Sequence, residues 1–309
     1  MTIARRILLW GSRNRWLESQ MRRRAFARRA VRRFLPGETL ADALTAAQAL
    51  AARGFGTVLT QLGENLASDA EADGVRDHYC EVLTAVEGRD LPAVISVKPT
   101  QLGLDHDVDA CTARVRMLAE QAAARAQRVW IDMEDSTYVD ATLALFRRVH
   151  ATQRNVGLCL QTYLRRTAAD LEALLPLNPA IRLVKGAYAE PPDRAFPRKA
   201  DVDANFAALG QTLMTHAART GAPAPVLGTH DIRLVRRLQQ VAVDAGLDPQ
   251  ACEVHMLYGI RTAEQEQLLR DGYAVRVLIS YGAAWFRWYM RRLAERPANV
   301  WFVMRSVVA

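Results

Sequence analysis

Two hydrophobic periods alternate along most of the chain. Short apolar, β-branched runs occur at Gly56–Leu62, Ala93–Lys98, Val129–Met133, Val156–Gln161, Ile181–Lys185, Pro225–Leu227, Cys252–Leu257 and Ala274–Ile279, each with the length and composition of a buried strand. Between them lie longer stretches with helical spacing, around 68–87, 107–126, 137–153, 167–175, 201–220, 231–245 and 262–270. An alanine-rich amphipathic stretch, Glu38–Arg53, precedes the first run, entered after Pro36 and Gly37 and ended by Gly54. Strands that alternate with helices of this length imply parallel βαβ units, and eight of them imply a closed barrel rather than an open sheet. The expected fold is therefore α/β, a (β/α)8 TIM-type barrel. A last helix, Trp285–Arg296, follows the eighth run. Its Trp288, Arg291, Arg292 and Glu295 fall at i, i+3, i+4 and i+7 and share one face. Trp285, Tyr289 and Leu293, flanked by Phe286 and Met290, make an apolar stripe that docks the helix on a core. Taken alone, the RRxxE face reads as an exposed ladder of weak intrahelical pairs.

Composition narrows this picture without changing it. The 309 residues are half hydrophobic and about a quarter charged, enough for one large barrel core over residues 38–309. Apolar runs are interrupted by charge well before the roughly 18 residues a membrane span needs. Two arginines break the run at residues 3–10 and no small-residue cleavage site follows, so no secretory signal is read and a cytoplasmic location is expected. The four cysteines lack the spacing of a zinc site or a disulfide framework. The net charge of +8 is concentrated at the start, where residues 1–33 carry eleven arginines against the single acid Glu18. Residues 1–37 thus form a basic helical arm with Leu8, Leu9, Trp10, Trp16 and Phe26 interleaved. Its plainest role is a solvated terminal helix. An anionic membrane surface at the inner face ranks next, ahead of nucleic acid, for which no motif is present.

Barrel enzymes place their chemistry at the C-terminal ends of the strands, and polar residues gather there. In order these ends carry Glu64, Lys98, Asp132 with Glu134, Gln161, Arg182 with Lys185, Thr229 to Asp231, His255, and Ser280 to Gly282. No GxGxxG, GxxxxGK[ST] or HExxH occurs, which excludes a Rossmann cofactor site, a P-loop and a zincin helix. The six histidines show no metal-ligand spacing, and no metal is expected. Lys98 and Lys185 raise a Schiff-base lyase or aldolase as a competitor. Strand alternation puts Arg182 and Lys185 on opposite faces. So many cations suit an anionic ligand, phosphate or carboxylate, and paired arginines suit bidentate carboxylate recognition. The loop Glu190–Asp203 is the longest and a candidate lid.

The segments SVKPTQLGLD, WIDMEDS, VGLCLQTYLRRTAADL, RLVKGAYAEP, GTHD, CEVHMLYGIR and YMRRLAERPANVWF resemble, in order and spacing, the motif series of the monofunctional proline dehydrogenase family. The resemblance runs from about Arg33 to Met304. It implies a distorted (β/α)8 barrel that binds FAD without a Rossmann domain, oxidation of proline to 1-pyrroline-5-carboxylate, and electron transfer to a membrane quinone. By position it implies that Arg291 and Arg292 clamp the substrate carboxylate, with Lys98 a third cation and Glu295 holding the arginines. Asp132 corresponds to the acid beneath flavin and substrate. Gln161, Arg182, Val184, Lys185, Gly186 and Ala187 match flavin-binding strand ends, and Tyr188, Thr229 and His230 match cofactor or mouth positions. The chain departs from the family where Leu278 stands for tyrosine, Ser280 for proline, Trp288 for a substrate-packing tyrosine, His255 for a flavin-touching glutamine, Gly228 for alanine and Pro99 for leucine. These departures open a different ring, such as hydroxyproline, pipecolate or a modified proline, and a non-catalytic imino-acid binder remains an alternative.

Overall fold

All eight apolar runs become strands in the computed structural model, which describes residues 14, 19, 21, 31–63, 66, 68–286 and 288–290. They are β1 (Gly56–Gln61), β2 (Ala93–Val97), β3 (Val129–Ile131), β4 (Val156–Gln161), β5 (Ala180–Val184), β6 (Val226–Gly228), β7 (Val254–Leu257) and β8 (Val275–Tyr281). Neighbours in sequence pair in parallel, and β8 returns to β1 to close the barrel. The closing ladder runs from Gly56 opposite Arg276 to Gln61 opposite Tyr281. Because the Leu62 N–H still donates to the Tyr281 carbonyl at 2.7 Å, β8 continues two residues past the end expected from its apolar run. β3 is shorter than expected: the Asp132 N–H still reaches the Val97 carbonyl at 2.9 Å, after which the chain leaves the sheet.

The helices are α1 (Leu40–Ala51), α2 (Asp69–Glu87), α3 (Val108–Ala123), α4 (Val139–His150), α5 (Thr167–Glu172), α6 (Lys199–Thr220), α7 (Ile232–Asp244) and α8 (Thr262–Arg270). The starts of α1, α2 and α3 are set locally by side-chain oxygens that satisfy free backbone donors. Thr39 and Asp42 form a reciprocal capping box on α1, and the hydrogen bonds from Thr39 hold the Asp42 carboxyl below its usual range. Ser68 caps α2 and Asp107 caps α3 in the same way. The main core lies between barrel and helices, with Ile95, Ile131, Leu158, Leu183 and Val254 facing Phe146, Phe206, Leu118 and Leu238.

A satellite core joins the two ends of the chain: Val31, Leu35 and Leu62 pack with Trp285, Phe286, Trp288, Tyr289 and Met290. The Trp285 indole N–H donates to Glu38 Oε1 at 2.8 Å. Residues just before the boundary read at 37 therefore pack onto the segment after β8. Residues 285, 286 and 288–290 are helical, and their apolar stripe is buried as expected. Trp288, read from sequence as a face-mate of the arginines and part of the substrate pocket, is buried in this same cluster, because a residue three positions from Trp285 still borders the stripe. Arg291, Arg292, Glu295, Glu64 and most of the basic arm lie outside the described residues. Among the described residues no helix is long and apolar enough to cross a membrane.

The loop after β5 is fastened to its neighbours. Ser136 donates to the Glu190 carboxylate through its N–H at 2.7 Å and its hydroxyl at 2.5 Å. Leu164 and Ala195 form an isolated bridge, and the Arg165 guanidinium lies 4.8 Å from the Phe196 ring centroid. Helix α6 begins at Lys199, so the free span is shorter than the sequence suggests.

Candidate active site

Alternation along the strands turns every second residue into the barrel lumen. Low in the lumen these residues are mostly aliphatic or small: Val58, Val94, Ala180 and Val226 surround Trp130. The indole fits because β4 supplies Gly157, where a Cβ would lie 2.6 Å from Trp130 Cζ3. Two guanidiniums approach the indole, Arg182 at 4.9 Å and Arg128 at 5.6 Å from a ring centroid, a geometry that favours cations on an aromatic face.

Above Trp130 the next inward layer is polar. Arg182 is 3 % exposed, a burial a charge tolerates only when paired and hydrogen-bonded. Its Nη2 donates to the Asp132 carboxylate and, at 2.9 Å, to Ser96 Oγ. The Ser96 hydroxyl in turn donates to Asp132 Oδ1 at 2.9 Å. Two residues beyond Ser96, Lys98 is 8 % exposed and has no ion pair or hydrogen bond among the described residues. On β4, Gln161 Nε2 donates to the Met133 carbonyl at 3.1 Å. On β7, His255 is hydrogen-bonded through Nε2 to Glu253 Oε2 at 3.0 Å, and Glu253 Oε1 accepts from Arg276 Nε at 2.6 Å. Burial opposes ionisation of Glu253, but the His255 bond and the Arg276 charge outweigh it and bring its carboxyl to about 2. Burial dominates at His255 and lowers the imidazole to about 4.

The rim is ionic. Lys185 Nζ lies 2.5 Å from Asp203 Oδ1 and 3.3 Å from Asp231 Oδ2, Lys199 pairs with both carboxylates, and Arg233 reaches Asp231 at 3.5 Å. Burial pushes the two carboxyls up, yet the neighbouring cations hold both below their usual range. Lys185 lies between two carboxylates, an arrangement for a cation and not for a nucleophilic amine. The Leu257 N–H donates to His230 Nε2 at 3.0 Å. After Lys185 the chain turns at Gly186, φ +109°, where a Cβ would enter the Tyr163 ring. Only glycine permits both that φ and that approach.

These layers enclose a cavity of about 750 Å3, in the size range of small-molecule sites. Three buried polar atoms of its lining have no partner among the described residues: Gln161 Oε1, Arg182 Nη1 and His255 Nδ1. Buried polar groups are normally satisfied, so one donor and two acceptors wait for a ligand with polar edges. Lys185, Lys199, Arg233 and Arg261 add positive charge toward the mouth. Among the described residues no group of three or more His, Cys, Asp or Glu side chains is placed to hold a metal ion.

The cavity brings together Lys98, Asp132, Gln161, Arg182 and Val184 from the inward strand positions, and Lys185, Gly186, Ala187, Tyr188, Thr229 and His230 from the rim, with His255 and Leu278 on the last two strands. Arg182 and Lys185 both line it, contrary to strict alternation, because β5 ends at Val184 and Gly186 redirects the chain. Trp288 is not among its described lining residues. The reading of strand ends missed Ser96, Trp130, Glu253 and Arg276, which sit deeper. Each lies two residues before a polar or pocket residue, Lys98, Asp132, His255 or Leu278, and extending the period of two backward along the chain finds them all.

The sequence profile described as proline dehydrogenase matches residues 43–305. The chain is 32 % identical over 304 residues to proline dehydrogenase 1 of Bacillus subtilis, covering 98 % of this chain and 99 % of that protein. It is 35 % identical over 281 residues to proline dehydrogenase of Deinococcus radiodurans, covering 89 % of each. Among solved structures it superposes on proline utilization A (PutA) from Bdellovibrio bacteriovorus, inactivated by N-propargylglycine, with a TM-score of 0.80 at 20 % identity. That match covers 94 % of this chain and 37 % of the other, a likeness of fold.

Proposed function

The chain belongs to the proline dehydrogenase family, and on that premise we propose that it oxidises L-proline, or a closely related cyclic amino acid, to 1-pyrroline-5-carboxylate or its analogue with FAD as the acceptor. Membership makes it a flavin-dependent oxidoreductase of proline catabolism. The observation that carries the finer reading is Lys98, 8 % exposed and without an ion pair or hydrogen bond among the described residues, in the same cavity as the Asp132 and Arg182 pair. A buried cation without a counterion calls for an anionic ligand group, and an amino-acid carboxylate supplies one.

The residues fit a flavin. Gln161 Oε1, Arg182 Nη1 and His255 Nδ1 would offer mixed acceptors and a donor to an isoalloxazine edge, and Lys185, Lys199 and Arg233, shared between the two carboxylates Asp203 and Asp231, would leave one net positive charge at the rim for a dinucleotide's phosphates. Gly186 lets the backbone pass close to Tyr163, clearing room beside the ring. When bound, FAD supplies the two-electron acceptor for the hydride that leaves the substrate. Lys98, with Arg291 and Arg292 completing the clamp and Glu295 bracing them, holds the carboxylate and so orients the C–H next to the ring nitrogen. Asp132 keeps Arg182 in place, and Arg182 presents fixed positive charge where negative charge develops. A quinone takes the electrons onward.

Leu278 favours a second reading of the substrate. It faces the cavity half-buried and offers a ring no hydrogen bond, which suits a hydrocarbon ring over a hydroxylated one. The test is the absorption spectrum of the purified protein, mass analysis of the released cofactor, and turnover of proline, hydroxyproline and pipecolate side by side with an artificial acceptor. Flavin bands bleached by proline, with FAD released, are expected. A colourless protein defeats the proposal, and flavin that no imino acid bleaches leaves only a binder.

A further inference from the structure

We propose that Glu253 and Arg276 lock His255 into the tautomer with a bare Nδ1, so that this imidazole meets the bound flavin only as a hydrogen-bond acceptor and holds its midpoint potential below the value a donor there would give. The inference rests on the reading of the cavity as a flavin site. Its geometry is a chain of one-way bonds. Arg276 only donates, and its Nη1 is already fixed on the Pro92 carbonyl at 2.9 Å. Its Nε therefore engages Glu253 Oε1, 2.6 Å away, as donor. That leaves Oε2 of the same carboxylate for His255 Nε2 at 3.0 Å. A carboxylate accepts, so Nε2 carries the proton and Nδ1 carries a lone pair.

Packing keeps the ring in that orientation. Trp130 stands edge-on to His255, with centroids 5.7 Å apart and planes at 80°, and the side chain is 2 % exposed. Nδ1 is buried and has no partner among the described residues, in a side chain that lines the cavity. Burial disfavours the imidazolium, so the lone pair is not lost to a proton at neutral pH. The neighbouring cavity imidazole has the opposite polarity: His230 Nε2 accepts from the Leu257 N–H at 3.0 Å, which puts the His230 proton on Nδ1. The two imidazoles are thus held in different tautomers, each by a named partner. Two-electron reduction adds negative charge to the flavin ring, and a fixed lone pair opposes that charge where a donor would stabilise it.

Glu253→Gln is the informative variant, because it leaves His255 in place. Arg276 Nε still requires an oxygen, so the new amide turns its NH2 toward His255 Nε2 and moves the imidazole proton to Nδ1. His255→Gln is the second variant, whose amide can donate directly. The midpoint potential of each holoenzyme is measured by equilibrium dye titration alongside its flavin content. Both variants are expected to favour the reduced flavin at least tenfold more than the parent, a rise of about 30 mV for a two-electron couple. Full flavin content with an unchanged or lowered potential in either variant overturns the proposal. If Glu253→Gln does not fold, 15N-histidine NMR of the parent decides: the resonances lost in His255→Gln should show a protonated Nε2 and a bare Nδ1, and a protonated Nδ1 refutes the lock. Absence of flavin from the parent would defeat the reading of the site, while the same NMR experiment still tests the tautomer.

Discussion

Asp132→Asn separates the two jobs the inward polar layer performs. The substitution is isosteric and keeps an oxygen for the Ser96 hydroxyl, which now donates to Asp132 Oδ1 at 2.9 Å. What it removes is the counterion of Arg182, whose side chain is 3 % exposed. The guanidinium is then left with the Ser96 oxygen at 2.9 Å and the Trp130 face at 4.9 Å. Breaking a buried pair from one side costs about 3–5 kcal/mol. Asp132 is itself 20 % exposed and borders the cavity, so water offsets part of the loss and the lower end, about 3 kcal/mol, is expected. Against a typical net stability of about 5–15 kcal/mol the variant should fold, which makes the loss measurable by urea denaturation. Arg182→Met removes the charge together with its need for a partner and should cost less than Asp132→Asn does, so the double variant recovers most of the Asp132→Asn loss. Turnover falls in all three. A loss under about 1 kcal/mol for Asp132→Asn, or strict additivity in the double-mutant cycle, would refute the claim that Arg182 depends on Asp132 to be held in the barrel.

Three further outcomes follow from the same geometry. Lys98→Met should lower kcat/KM for the carboxylate substrate by about 10–100-fold, the worth of one charge-assisted hydrogen bond, with flavin content unchanged; equal kinetics for parent and variant would remove Lys98 from the substrate site. Gly186→Ala forces φ +109° on a residue with a Cβ that would enter the Tyr163 ring, and should both destabilise the fold and strip flavin, read by thermal melting and the visible spectrum of the purified variant. On acidification, the His255 imidazole, about 4 in the folded protein against 6.5 ordinarily, binds its proton later than in the unfolded chain. Its contribution is complete above about pH 6.5 and falls by up to about 3 kcal/mol as pH drops through 4. His255→Gln should flatten denaturant midpoints in that window, and an unchanged pH slope would show that the histidine is not buried neutral.

The barrel was legible because each strand is a short apolar run bounded by turn residues, and each helix a longer amphipathic one. Period alone separates them. Boundaries shifted where a single backbone bond decided the end, as at Leu62 to Tyr281. Strand ends pointed to Lys98, Asp132, Gln161 and Arg182 because barrel enzymes place their chemistry where the hydrophobic strands end. Depth was harder to read. Ser96, Trp130, Glu253 and Arg276 look like chance polar or bulky residues within or beside strands until the register stacks them. Which carboxylate serves which cation depends on contacts between residues far apart in the chain, 50 positions for Asp132 and Arg182, and no local pattern encodes that. Trp288 shows the converse limit: helical periodicity gives a face, and the packing partners, here Val31 and Leu35 from the other end of the chain, decide what that face meets.

That burial bears on which residues can shape the substrate wall. Three departures from the family's residues were candidates to shape the substrate wall: Leu278, Ser280 and Trp288. Trp288 sits in the satellite core. Ser280 is 1 % exposed and lies opposite Thr60 in the closing ladder, away from the cavity lining. Leu278 alone lines the cavity, paired on one side with Val58 and on the other with Leu257, and it rests on the lumen cluster around Trp130. Its side chain has no hydroxyl with which to recognise a polar ring. If the cavity holds the substrate, selection among rings is expected to depend on the apolar volume above Leu278, and the comparison of pipecolate with hydroxyproline in parent and Leu278 variants reads that residue.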